Sequence, residues 1–155
     1  MIADQELDKG LLTMKIVWLA LLISLIIYLF VGLYAEPSVR SPIGKDAFAT
    51  IRIVFYVVAF FTLIATRYVR RRILSRKGIY QKPTKASQHP ALQKYFVAMI
   101  VATAMSESIG IYGLILFFLG KNRMDLYLLI LVSAVAIFLY RPKREEVISL
   151  AQVTR

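Results

Sequence analysis

The sequence predicts an all-α integral membrane protein with four transmembrane helices and both termini in the cytoplasm. Three observations carry this expectation. The chain is 59% hydrophobic with a mean hydropathy of +0.65, too apolar for an ordinary water-exposed domain. Its apolar residues fall into four continuous runs rather than alternating ones, which favours helices over barrel strands. Its 20 Lys and Arg outnumber 9 Asp and Glu and are distributed unevenly between the connections. At 155 residues the chain is read as a single domain, 1–155.

The first span is read as 14–35 (MKIVWLALLISLIIYLFVGLYA). An acidic stretch, MIADQELD, precedes it, and the run is longer than the core of a secretory signal, so it is expected to stay in the mature chain. The second span is read as 48–69, the third as 95–120 and the fourth, the shortest, as 124–140. A crossing helix needs roughly 20 apolar residues, with about 17 near the lower limit. Tyr34, Tyr68, Tyr95, Tyr127 and Tyr140 fall near span ends, where amphipathic rings prefer to sit. The link GKNR between the last two spans is short enough to force an antiparallel hairpin.

Charge sets the expected orientation. The segment 67–94 holds nine Lys or Arg and no acid, and with the two terminal segments one side holds 15 basic residues against five on the other. Basic loops stay in the cytoplasm. The expected location is therefore a bacterial or archaeal plasma membrane, with the basic loop 70–94 inside. Arg67, Arg70, Arg71, Arg72, Arg76, Lys77, Lys82 and Lys85 form a surface for anionic lipid headgroups or an acidic partner. Each basic residue at such a surface is worth roughly 1 kcal/mol. No nucleic-acid recognition motif accompanies the charge, so nucleic acid is not an expected partner. The only histidine, His89, lies in this loop.

Glu107 lies about 12 residues from either end of the third span, or about 18 Å at 1.5 Å per residue. An acid at a helix centre costs on the order of 2.5–3.5 kcal/mol on insertion scales. Burial disfavours the charged form, so the carboxyl is expected to be protonated or paired. Its helix face is small and polar: Thr103, Ala104, Glu107 and Gly110 recur at spacings of three and four, flanked by Ser106, Ser108 and Gly113. Gly110 and Gly113 would let a second helix approach closely. Candidate polar partners at similar depth are Ser24, Thr62 and Ser133, with Tyr28, Tyr56, Tyr112 and Arg52 nearer the end of the spans that faces outside. Three roles stay open for Glu107: an interhelix anchor, a proton or cation site with Ser106, Ser108, Thr103 and Tyr112 as neighbours, or a contact to another subunit.

The segment 89–120 resembles the ion-carrying helix of rotary ATPase proteolipids, the c-type ring subunits. The resemblance rests on Glu107, Ser108, Ile111, Tyr112 and Gly113, with His89 and Pro90 in the preceding polar loop. It implies that Glu107 reversibly holds a proton or sodium ion. It covers the third span alone. The first span has one glycine and the second has none, where the family's inner helices repeat glycine, and the two halves of the chain do not repeat each other.

Enzymatic chemistry is not expected. No histidine lies in a span, and no nucleophile elbow, HExxH or phosphate-loop pattern occurs. With no cysteine, thiolate metal sites and iron–sulfur clusters are excluded, and no metal or other cofactor is expected. The expected function is an accessory, assembly or scaffolding subunit of a membrane complex, with other membrane subunits or further copies of itself as partners. The alternatives are a proton- or cation-translocating element using Glu107, and a module that binds anionic lipid.

Overall fold

A computed structural model describes residues 4–35, 44–75 and 90–153. The chain order is α1 (Asp4–Ala35), α2 (Lys45–Ser75), α3 (Pro90–Gly120), α4 (Arg123–Leu139) and α5 (Arg144–Val153). Among the described residues there is no strand. Three helical stretches are long and apolar enough to cross a membrane: Gln5–Tyr34, Asp46–Ser75 and Pro90–Gly120. A fourth exists only if α4 and α5, bent by 49° at their junction, count together.

The helices extend well beyond the expected apolar runs. α1 begins ten residues before Met14. Its first turns carry Leu7, Leu11 and Met14 at helical spacing, and all three are buried against Leu92, Tyr95, Met99 and Val147. The acidic head is thus an amphipathic start to the helix, held by packing rather than by its own propensity. α3 begins at Pro90, a residue suited to the first helical turn because its missing N–H would have no intrahelical partner. Ala91 and Leu92, read from sequence as polar linker, are completely buried core residues.

The tail after Tyr140, counted from sequence only for its basic charge, forms α5. Tyr140 closes α4, its N–H donating to the carbonyl of Ile137 at 3.1 Å. Val147 then turns inward and is wholly buried. At the opposite end, the α3–α4 turn needs only Lys121 and Asn122. Lys121 takes a left-handed φ of 54°, and its N–H donates to the carbonyl of Phe117 at 2.7 Å. The Asn122 side chain accepts from the N–H of Met124 at 3.0 Å and caps α4.

α3 is the central helix and packs against each of the other four. α1 also packs on α4, whereas α2 lies along α3. Close packing depends on small residues. A Cβ on Gly110 would sit 2.6 Å from Leu25 of α1, and one on Gly113 would sit 3.0 Å from Leu129 of α4. Outward faces are apolar: Ile16, Ile27 and Phe30 on α1 and Ile53, Phe60 and Phe61 on α2 are each more than half exposed. Contiguous apolar surface of this extent is found on proteins that bind membranes or other proteins.

Candidate functional site

Glu107 sits half-buried on the α1–α3 seam. Ser24 and Tyr28 are one turn apart on α1 and point at the same atom. The Ser24 hydroxyl contacts Glu107 Oε1 closely, and the Tyr28 hydroxyl donates to it at 2.9 Å. Ser24 Oγ also lies 2.7 Å from the carbonyl of Leu21. A serine hydroxyl has one hydrogen. Ser24 therefore shares it between Glu107 and the carbonyl of its own helix, while Tyr28 gives its only hydrogen to the same carboxyl oxygen.

The neighbouring polar residues bind elsewhere. Ser106 donates to the carbonyl of Ala102 and Ser108 to that of Met105, each at 2.8 Å. Thr103 donates to the carbonyl of Met99 at 2.8 Å, and Thr62 to that of Val58 at the same distance. These hydroxyls are spent on their own helices, as mid-helix serines and threonines often are. Tyr112 packs edge-on against Phe55 of α2, ring centres 5.6 Å apart. The Ser133 hydroxyl donates across to the carbonyl of Ser106 at 2.7 Å, and both serines are fully buried. α3 is therefore pinned to α1 at Glu107 and to α4 one residue earlier.

Arg52 and Tyr56, considered from sequence as partners of Glu107, serve a different carboxylate. Asp125, in the first turn of α4, is completely buried. Its Oδ1 accepts from Arg52 Nε at 2.9 Å, from Arg52 Nη2 at 2.8 Å and from the Tyr56 hydroxyl at 2.7 Å. Its Oδ2 is buried without a hydrogen-bond partner. Sequence reading passed over Asp125 because it lies beside the short turn, where an acid at a helix N-terminus is ordinary. The available signal was the i, i+4 pair Arg52 and Tyr56 on α2, which repeats the spacing of Ser24 and Tyr28 on α1.

A third tie lies at the other end of α2. Arg70 bonds Glu146 of α5 at 2.5 Å. Its guanidinium lies 5.9 Å from the ring centre of Tyr95 and 5.5 Å from that of Tyr140. The Tyr95 hydroxyl accepts from the N–H of Lys143 at 3.1 Å. Arg70, grouped from sequence with the headgroup-facing arginines, is thus turned into the protein because α5 supplies an acid and two aromatic faces enclose its charge. Arg67, Arg71 and Arg72 remain exposed. Arg76, Lys77, Lys82, Lys85 and His89 lie outside the described residues.

Compared with known proteins, the chain matches no family model, no curated sequence and no solved structure.

Proposed function

We propose that this chain is a small polytopic membrane protein that serves as an accessory or scaffolding subunit of a larger membrane assembly. Glu107 acts in it as a polar anchor between helices. The carrying observation is the convergence of the Ser24 and Tyr28 hydroxyls of α1 on one carboxyl oxygen of Glu107 in α3. Two further acids tie helices together: Asp125 is spent on Arg52 and Tyr56 of α2, and Glu146 on Arg70.

The membrane reading has geometric support along α2. Arg52 and Arg70 are 18 positions apart, about 27 Å along a helix, close to the roughly 30 Å of a hydrocarbon core. Each would stand near one interface, with the apolar face of α2 between them. The charge asymmetry supports a cytoplasmic position for the end of the bundle where α1 begins and α5 packs. The test of the subunit reading is mass spectrometry of crosslinked, gently solubilised native membranes. Stoichiometric recovery with other membrane proteins supports it. Recovery of the chain alone, or only with further copies of itself, overturns it.

A second reading follows from the position of Glu107 on the seam, where the residue is only partly buried. Proton exchange at that surface would make it a translocating group. Flux in proteoliposomes that survives Glu107→Asp and is lost in Glu107→Gln would favour this reading. Absence of flux from the wild-type protein and all variants would remove it.

A further inference from the structure

Tyr68, Arg71, Arg72 and Ser75 line a groove of about 470 Å³ on the outer side of α2. These positions follow i, i+3, i+4 and i+7 spacing and so share one helix face. We propose that this groove is a binding site for the phosphate of an anionic phospholipid, with its acyl chains lying along the same face of α2. The proposal rests on the membrane reading above and goes beyond it by assigning a ligand.

The headgroup end is partly built in advance. Arg72 Nε donates to the Tyr68 hydroxyl at 2.8 Å, and its guanidinium sits 5.1 Å from the centre of that ring. This fixes an otherwise flexible side chain and leaves its terminal nitrogens for an acceptor. A planar guanidinium offers paired donors that match phosphate oxygens. Arg71 stands beside it, and among the described residues neither arginine is paired with an acid. Ser75 adds a hydroxyl at the open end. The contrast with Arg70 is informative: one position earlier, the side chain turns inward to Glu146. Three consecutive arginines are therefore divided between an internal tie and an external cradle.

The tail end is equally specific. Stepping back along α2 from Tyr68 by four, seven and eleven residues reaches Ile64, Phe61 and Val57. Their exposures are 53%, 62% and 48%, so an apolar lane runs directly from the cradle. A free phosphate would use only the arginines, whereas a phospholipid uses both parts.

The test uses the full chain in detergent, titrated with dioleoyl phosphatidylglycerol or dioleoyl phosphatidylcholine and read by native mass spectrometry. Inorganic phosphate is added as competitor in a separate arm. The wild-type protein should retain one phosphatidylglycerol with at least tenfold preference over phosphatidylcholine. R71Q/R72Q should lose that preference, and Y68F should weaken it several-fold. K9Q/R141Q, which removes the same charge from the same end of the bundle, should keep it. Equal retention by R71Q/R72Q and wild type, or equal loss in K9Q/R141Q, would overturn the site in favour of diffuse charge attraction. Displacement by equimolar inorganic phosphate would make it a free-anion site. Release of the wild-type protein from membranes by alkaline carbonate would sink the membrane reading itself. Retention there with unchanged lipid binding in R71Q/R72Q sinks only the lipid site.

Discussion

Arg52 and Asp125 stand 73 positions apart and meet through two nitrogen–oxygen contacts on a single oxygen, Oδ1. The pair joins α2 to α4, with α3 as their shared neighbour. Asp125 is wholly buried while the Arg52 side chain is 44% exposed on the bare protein. The arginine is thus an outer clasp on an inner acid. Removing it leaves a buried carboxylate with one hydroxyl partner. Loss of one member of a buried pair typically costs about 3–5 kcal/mol. We expect Arg52→Ala to destabilise by about 3 kcal/mol on that scale, read as a lowered midpoint of thermal unfolding in detergent. Arg52→Leu combined with Asp125→Leu should recover most of the loss. A double variant as unstable as the single would show that the pair is not the source.

At Glu107 the polar anchor predicts tolerance of glutamine, whose amide oxygen can accept from the same two hydroxyls. Glu107→Gln should keep stability within about 1 kcal/mol, since interhelix hydrogen bonds in membranes average near 0.6 kcal/mol. Glu107→Leu strands the Tyr28 hydroxyl and leaves Ser24 only the Leu21 carbonyl, and should cost more than the glutamine variant. A midpoint in Glu107→Gln lower than in Glu107→Leu would reject the anchor as described. Thermal unfolding of the two variants side by side decides the order.

Gly110 and Gly113 should respond in an order opposite to their nominal crowding. A Cβ on Gly110 meets the tip of Leu25 at 2.6 Å, a flexible end that can rotate away. A Cβ on Gly113 meets Leu129 Cβ at 3.0 Å and the carbonyl oxygen of Leu126 at 3.3 Å. Neither of those atoms can move without shifting α4. Overpacking of this kind costs about 1–3 kcal/mol. Gly113→Ala should therefore lose more stability than Gly110→Ala in the same unfolding measurement, and the reverse order would refute the argument.

α5 is predicted to act through Arg70. Glu146→Gln removes the charge partner of a side chain that is 21% exposed and whose Nε is already buried without a partner. Proteolysis near residues 140–144 should become faster, because α5 then loses its ion pair to α2 and keeps Val147 and Leu150 packing with the outer Arg144–Asp8 contact. An unchanged digestion rate would mean that packing, not the ion pair, seats the helix.

The helices themselves were legible in the sequence because their cause is local. A continuous apolar run of 17–26 residues specifies a helix of membrane length whatever surrounds it. The level of Glu107 relative to Ser24 and Tyr28 was legible for a similar reason, since 1.5 Å per residue converts position into depth. The helical start of α1 was also written in the spacing of Leu7, Leu11 and Met14, although the acidic residues between them masked it.

What the sequence by itself determined is an all-helical chain with several long apolar helices, and the position of each polar side chain along its helix. Which carboxylate Arg52 serves was decided only in three dimensions. Arg52 and Asp125 lie near the same end of their helices, but whether they meet depends on how α2 is rotated about its axis and which face α4 presents. The same holds for Arg70, Arg71 and Arg72, identical in type and adjacent in chain. Successive residues on a helix project about 100° apart, so one faces Glu146 and the others face outward. Rotation of α2 is set by packing of Phe48, Phe55 and Ala59 against Ile109, Tyr112 and Leu116 of α3, and packing is a property of the whole bundle.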